Sequence, residues 1–154
     1  MNKKVLVRDI MNEPVATVDL DAKLEDIARH MLVMDIGSIL VVDAAGSLQG
    51  IITDSNFIAK QPPTMFSQER GSSALEYWRE GGAETVYSHA RARPAREVMS
   101  APVVTLREDD SLETVLTLMQ KHGVRHLPVV RDDRPVGIVT SRDLLILLIE
   151  ERES

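Results

Sequence analysis

The stretch GIITDSNFI at residues 50–58 returns as GIVTSRDLL at residues 137–145. A second pair of related stretches, IMNEPVATV at residues 10–18 and VMSAPVVTL at residues 98–106, follows the same order along the chain. The first pair is offset by 87 residues and the second by 88. Self-similarity at a nearly fixed spacing indicates one supersecondary unit that is used twice. We therefore expect two repeats related by pseudo-twofold symmetry, with a natural place for a ligand at the seam between them.

Each repeat is predicted to fold as β-α-β-β-α. A short strand, VATV or VVTL, precedes an amphipathic helix whose apolar residues recur at i, i+3, i+4 and i+7 in both copies. Two β-branched runs joined by a short polar link indicate a hairpin, and a second helix is expected directly after Thr53 and after Thr140. The prediction is one compact α/β module, with repeat 1 at residues 7–60, an inter-repeat insertion at 61–94 and repeat 2 at 95–150.

Helix boundaries can be read for the first helix of repeat 2. Asp110 followed by Glu113 resembles a capping box, and Gly123 fits a C-terminal stop. The insertion holds two further helical candidates, SALEYWRE at residues 73–80 and AETVYSHA at residues 83–90. We expect an elaborated connection packed on one face, with a partner surface or a lid as the alternative.

The composition limits the class of protein. The chain has 154 residues, of which 44% are hydrophobic and 27% charged, as in soluble globular proteins. A net charge of −6 argues against nucleic acid as the main partner, and the absence of cysteine excludes disulfides and thiol chemistry. The N-terminal residues lack the apolar run of a signal peptide, and the strongly apolar run at residues 144–149 is too short to span a membrane. A cytoplasmic protein without membrane contact is expected.

The junction Thr140-Ser141-Arg142-Asp143 has two interpretations. Locally, Thr140 and Asp143 fit an [ST]-x-x-[DE] capping box at the start of a helix. As a ligand site, the helix N-terminus offers N–H groups and a partial positive charge to a phosphate, while the hydroxyls and Arg142 add donors and charge. An ionised Asp143 only accepts hydrogen bonds, so it matches a diol such as that of a ribose. The two interpretations are compatible.

The two repeats together resemble the CBS-domain family, named for cystathionine β-synthase. The resemblance rests on the joint order of the methionine-ended openings, VRHLPVV and GIVTSRDLL, over residues 7–60 and 95–149. It implies a tandem pair, or Bateman module, that binds AMP, ADP, ATP or S-adenosylmethionine in a cleft between the repeats and forms a homodimer. The adenosyl ligand would be an effector, and no cofactor is implied.

The resemblance also implies the residues of the main site. The junction of repeat 2 would hold the ribose and phosphate, the opening segment of repeat 1 would line the slot for the base, and basic residues at the start of a strand would face phosphates. For the opening segment, packing as ordinary core is the alternative, and for the basic residues a solvated strand end. The predicted set is Thr140, Ser141, Arg142, Asp143, Met11, Pro14, Val15, Ala16, Arg125 and His126.

Repeat 1 departs from this pattern. Asn56 stands where the resemblance implies the ribose-binding aspartate, and Asp54 places a negative charge close to any phosphate. Ser55 stands where repeat 2 has Arg142. We expect a weaker second site formed by Thr53, Asp54 and Asn56 together with Ala101, Pro102 and Val103.

The sequence-based function is a sensor that passes its signal to an unknown effector protein. A ligand-free structural or protein-interaction module is the alternative, and a nucleotide hydrolase ranks third. No catalytic residue is predicted, because the chain lacks a Gly-rich phosphate loop, G-x-S-x-G and H-E-x-x-H. No metal site is predicted either, because His122 and His126 are separated by Gly123 and do not share a helical face.

Overall fold

The computed structural model describes residues 4–57 and 88–153. The insertion therefore lies outside the described residues as far as residue 87, and so do both of its helical candidates except residues 88–90. Contacts divide the chain into two units. Within the described residues, the first unit comprises 4–16, Asp43–Leu48 and 102–153, and the second comprises Thr17–Val42, 49–57 and 88–101.

The described elements follow the predicted order of strands and helices, except that a short helix opens each repeat and the first strand of repeat 2 is absent. In chain order they are α1 (Val7–Ile10), β1 (Thr17–Asp19), α2 (Leu24–Met34), β2 (Ser38–Val42), β3 (Leu48–Thr53), a 3₁₀ helix (Asp54–Phe57), α3 (Ala95–Val98), α4 (Leu112–His122), β4 (His126–Arg131), β5 (Arg134–Thr140) and α5 (Ser141–Glu153).

The first unit is built around the β4–β5 hairpin. The two strands pair antiparallel from His126 opposite Thr140 to Arg131 opposite Arg134, with an irregularity between Val129 and Val130. The polar link is the expected tight turn. The core is made of side chains from α1, α4, the hairpin and the segment before α4, namely Val7, Leu106, Val115, Leu127, Val129 and Val139.

The opening segment of each repeat belongs to the unit that holds the other repeat's hairpin strands. In the first unit, Asn12 of repeat 1 forms a bridge with Ile138 of repeat 2, and Val7 is fully buried in the core. In the second unit, Ser100 of repeat 2 forms the matching bridge with Ile51 of repeat 1. The elements that the sequence assigns to opposite repeats therefore meet within one unit.

The second unit contains a three-stranded sheet in the order β1-β2-β3. β1 runs parallel to β2, with Val18 opposite Val41. The apolar stripe predicted for the first helix of repeat 1 faces the core, because Leu24, Ile27 and Met31 of α2 are buried. Burying such a stripe contributes more to helix stability than intrinsic propensity does.

The strand predicted at VVTL in repeat 2 does not form. Leu106 makes only an isolated parallel bridge with Val129, at the register that Val18 and Val41 occupy in repeat 1. Extending this ladder toward Val104 would need an N–H donated from position 128, and Pro128 has none. In repeat 1 the same position is Leu40, and there the ladder continues.

The capping box predicted at Asp110 is one residue out of place. The N-cap of α4 is Ser111, whose side chain accepts a hydrogen bond from the Thr114 N–H. Asp110 instead accepts from the Arg107 N–H at 2.7 Å and closes the preceding turn. The C-terminal stop is confirmed, since Gly123 adopts a left-handed conformation with φ 62°.

The second helix of each repeat begins where it was expected. α5 starts at Ser141, directly after Thr140. In repeat 1 the residues after Thr53 form a 3₁₀ helix over Asp54–Phe57, and the following residues lie outside the description.

Gly137 of β5 lies against Met11 of repeat 1, and Gly50 of β3 lies against Met99 of repeat 2. A Cβ atom placed on Gly137 would lie 2.6 Å from the Sδ atom of Met11. A Cβ atom on Gly50 would lie 2.3 Å from the Sδ atom of Met99. Only a residue without a side chain allows this approach, which fixes each opening segment against its strand.

Candidate functional site at the β5–α5 junction

The β4–β5 register brings the predicted basic residues beside the junction. His126 lies directly opposite Thr140, and the Ser141 N–H donates to the Arg125 carbonyl oxygen at 3.0 Å. His126 is half-buried, whereas Arg125 and Arg142 are exposed. Arg142 lies in the first turn of α5, and the backbones of Arg125 and His126 lie beside it. This end of a helix favours negative charge.

The carboxylate of Asp143 is half-buried and turns back onto its own strand. Its Oδ2 atom accepts from the Thr140 N–H at 2.7 Å and from the Thr140 hydroxyl at 3.2 Å. The first of these bonds is one half of a capping box. The Thr140 hydroxyl donates to the same oxygen, so two hydrogen bonds join the strand end to the first turn of the helix. Two of the junction's N–H groups, those of Thr140 and Ser141, are therefore already paired within the protein.

Asn12 completes the surroundings of this carboxylate. Its Nδ2 atom lies 3.0 Å from Oδ1 and 2.9 Å from Oδ2 of Asp143, and 3.2 Å from the Ile138 carbonyl oxygen. The Asn12 backbone also pairs with Ile138 in both directions, at 2.9 and 3.2 Å. An amide is thereby held against the atoms that were predicted to receive a ribose.

The rest of the predicted opening segment lies in the same unit as the junction. Met11 is half-buried against Gly137, and Val15 and Ala16 are also half-buried. Pro14 is exposed and follows a cis peptide bond. The structure thus brings Met11 into the surroundings of β5, while Pro14 presents an apolar ring to solvent.

The corresponding junction of repeat 1 has a different chemistry. Asn56 is 3% exposed, and its Oδ1 atom accepts from the Thr53 N–H at 2.9 Å. Its Nδ2 atom donates to the Val98 carbonyl oxygen at 2.9 Å and to the Ser100 hydroxyl at 3.3 Å. This side chain forms its hydrogen bonds with other groups of the protein and is shielded from solvent. Where repeat 2 has the half-buried carboxylate of Asp143, repeat 1 therefore has the buried amide of Asn56, which stabilises the fold.

The other residues predicted for the weaker site are mostly open to solvent. Asp54 is exposed, and Thr53 is half-buried. Ala101 is exposed at the end of the second unit. Pro102 and Val103 belong to the first unit, where Pro102 is exposed and Val103 half-buried. Their role in a second site stays a prediction.

Sequence reasoning missed Asn12, and a signal for it was present. Both opening segments place a polar residue directly after the methionine, Asn12 after Met11 and Ser100 after Met99. Both residues contact the side chain that the opposite repeat places three residues after its threonine. Comparing the repeats position by position would have identified the pair.

The described parts of the chain hold no group of three or more histidines and carboxylates arranged to bind a metal ion. Within the same ranges, none of the helices has both the length and the apolar character that a bilayer crossing requires.

Comparison with known proteins identifies the family. The CBS domain model matches residues 7–62 and again residues 95–150. The chain belongs to the CBS domain family. A CBS domain-containing protein of Dictyostelium discoideum is 31% identical over 97% of this chain and 95% of its own length.

Solved CBS structures have the same fold. The CBS domain of a CBS domain-containing membrane protein from Sphaerobacter thermophilus has a TM-score of 0.71 and 39% identity, covering 94% of this chain and 88% of that one. The CBS domain pair of protein MJ0100, in complex with 5′-methylthioadenosine and S-adenosyl-L-methionine, has a TM-score of 0.71 and 25% identity, covering 97% and 99%. The predicted α/β fold of two CBS repeats is confirmed.

CBS pairs are regulatory modules, in general not catalytic ones. Relatives that carry enzyme names are longer proteins, and the match spans 22% and 23% of two of them. Those enzyme names belong to proteins of which this chain matches less than a quarter.

Proposed function

We propose that this chain is a regulatory sensor that binds an adenosine-containing ligand at the β5–α5 junction. AMP, ADP, ATP and S-adenosylmethionine are the candidates. The ligand would bind one conformation of the protein better than another and so shift the population toward it. An effector protein would read that shift.

The half-buried carboxylate of Asp143 is the observation that carries the proposal. A carboxylate that only accepts hydrogen bonds suits the two hydroxyl groups of a ribose. Its Oδ2 atom is already fixed by Thr140 at 2.7 Å, so the group is oriented before any ligand arrives. Such preorganisation lowers the entropic cost of binding.

The charges around the junction support an anionic or zwitterionic ligand. Arg142 lies in the first turn of α5, Arg125 and His126 lie next to Ser141 and Thr140, and the helix macrodipole adds partial positive charge. Repeat 1 has exposed Asp54 at the place of Ser141 and Ser55 at the place of Arg142. The difference favours ligand binding at the repeat 2 junction and a weaker, or less anionic, ligand at the other.

The relatives support the ligand class. The MJ0100 domain pair, which matches nearly all of this chain, has been solved with two adenosyl compounds bound. That similarity places adenosyl ligands first among those to be tested, and it leaves open which one this chain prefers.

Thermal unfolding in the presence of ligand tests the proposal. A ligand at about 100 times its Kd stabilises a protein by about 2.7 kcal/mol, which raises the Tm of a protein of this size by roughly 5–10 °C. We expect such a rise with at least one of AMP, ADP, ATP and S-adenosylmethionine. Asp143→Ala should remove most of it, whereas Glu25→Ala, which removes an exposed carboxylate of α2 that belongs to neither predicted site, should leave it in place. An unchanged Tm with all four compounds would reject the sensor function, and equal effects of the two variants would reject the site.

A second proposal concerns self-association, and it rests on exposed apolar residues of α5. Leu145, Leu148 and Ile149 are 62%, 63% and 60% exposed and lie on one face of the helix, since they are spaced i, i+3, i+4. Exposed apolar patches of this kind mark protein interaction sites. They favour the predicted homodimer, and they also suit the alternative of a protein-interaction module without a ligand.

We expect sedimentation to show a dimer at micromolar concentration. Leu148→Glu should convert it to a monomer, because a charge would have to be buried in the interface. Glu150→Lys, at an exposed charged position of the same helix, is the matched control and should leave the dimer intact. A native protein that sediments as a monomer would contradict the proposed homodimer.

A further inference from the structure

The Asn12 amide occupies the atoms to which the proposed ligand would bind. Its Nδ2 atom lies within 3.0 Å of both Asp143 oxygens and 3.2 Å from the Ile138 carbonyl oxygen. An amide NH₂ group has two hydrogens, so these three contacts share them. Each of the three contacts is therefore weaker than a full hydrogen bond, and a donor on an incoming ligand can replace the contact with Asp143.

Counting acceptor sites shows what a ligand would meet. An ionised carboxylate has about four lone-pair sites. Oδ2 of Asp143 receives three donors, two from Thr140 and one from Asn12, whereas Oδ1 receives the Asn12 amide. Each oxygen carries about two of these sites, so Oδ2 is fully occupied. With Asn12 in place, Oδ1 has room for one further donor. A ribose brings two adjacent hydroxyls, so one of them competes directly with the amide.

The competition is confined to the side chain. The Asn12 backbone is fixed by the reciprocal bonds to Ile138 at 2.9 and 3.2 Å, while its side chain is exposed. A rotation about the side-chain bonds therefore releases the carboxylate without moving the segment. The amide that leaves can be hydrated at once, which keeps the cost of release low.

The matching position of repeat 2 shows that this contact is a feature of both opening segments. Ser100 pairs with Ile51 through the same two backbone hydrogen bonds, at 2.8 and 3.1 Å. Its hydroxyl accepts from Asn56 at 3.3 Å, whereas Asn12 donates to Asp143. The residue after the methionine thus complements the donor or acceptor character of the junction residue in each repeat.

We propose that Asn12 is a specificity-determining residue that competes with one ribose hydroxyl for Asp143. The proposal rests on the proposed adenosyl site and deepens it. In the native protein Asn12 lowers the affinity for every ligand that uses both hydroxyls. It also reduces the discrimination between a ribose and a 2′-deoxyribose. The hydrogen bond that the second hydroxyl forms with Asp143 only replaces the one that the Asn12 amide loses, so the net gain in binding free energy is small.

Binding calorimetry with paired probes tests this. The probes are AMP and 5′-methylthioadenosine, each compared with its 2′-deoxy counterpart. Asn12→Ala is expected to bind the ribose compounds about tenfold more tightly than the native protein, since a hydrogen bond to a charged group is no longer lost on binding. Affinity for the 2′-deoxy compounds should change about threefold or less, so the ribose-to-deoxyribose ratio rises. Asn12→Ser, which introduces the residue type that repeat 2 carries at the matching position, is a second variant with the same expected direction.

The outcomes separate the two proposals. Ser100→Ala changes the same position in repeat 2, which contacts the other junction at Asn56, and should leave both affinities unchanged. Unchanged or weaker ribose binding by both Asn12 variants, with circular dichroism showing a native fold, would overturn the competition and assign Asn12 to orienting the carboxylate. Absence of binding by the native protein and all variants would overturn the adenosyl site itself, and this inference with it.

Discussion

Asn56→Asp is expected to lower the free energy of unfolding by about 3–5 kcal/mol, although it introduces the residue type that repeat 2 carries at Asp143. Asn56 is 3% exposed, and its Nδ2 atom donates to the Val98 carbonyl oxygen at 2.9 Å. A carboxylate there would turn an oxygen toward that carbonyl and bury a negative charge without a cationic partner. Repeat 1 therefore cannot acquire the ribose acceptor by this single change.

Urea unfolding of the variant checks the expectation. A protonated carboxyl group can donate to the Val98 carbonyl, so the loss should be smaller at about pH 4 than at about pH 7. Asn56→Ala is the control, with a loss of about 1–3 kcal/mol from buried groups left unpaired and little dependence on pH. An Asn56→Asp protein as stable as the native one would show that this junction is open to water.

Gly50→Val is the second change with a large expected effect, a loss of about 3 kcal/mol or more. Valine suits a β-strand by propensity, but a Cβ atom at Gly50 would lie 2.3 Å from the Sδ atom and 2.9 Å from the Cβ atom of Met99. A Cβ atom that close to the base of the methionine cannot be accommodated by rotating its end. The opening segment of repeat 2 would have to move away from β3.

A rescue experiment separates steric overlap from other causes. Met99→Ala in the Gly50→Val background should recover part of the lost stability, because it removes the Sδ and Cγ atoms that overlap. Thr17→Val changes an exposed residue of β1 in the same sheet and should alter the unfolding free energy by about 0.5 kcal/mol or less. Additive effects of the two substitutions, with no recovery, would contradict the role assigned to the glycine.

Much of the fold could be predicted because the repeats report the same pattern twice. The α2 stripe and the hairpin runs depend on local periodicity, and the structure places them as expected. The missing strand at VVTL depends on a partner more than 20 residues away, since Pro128 lacks the N–H that would extend the ladder. A local sequence pattern does not show that a residue far along the chain lacks the backbone N–H group that a strand needs.

The candidate site was predictable in its residue types and less so in its hydrogen bonds. The junction motif indicated Asp143, and the register brings Arg125 and His126 beside it. The contact with Asn12 joins residues 131 positions apart, so it depends on tertiary structure alone. The buried state of Asn56 was equally out of reach, because it follows from Val98 and Ser100 lying above it.

The exchanged opening segments have a consequence for how such a protein can be divided. Residues 4–16 belong with repeat 2, and residues 95–101 belong with repeat 1. Because Asp43–Leu48 also belongs to the first unit, the polypeptide passes between the two units four times. Cutting the gene at the repeat boundary would leave each fragment without a piece of its own interior, Val7 in one case and Val98 in the other. We expect that neither fragment folds on its own and that each would need the missing piece from another molecule. The two repeats therefore have to be kept together on one polypeptide for both interiors to be complete.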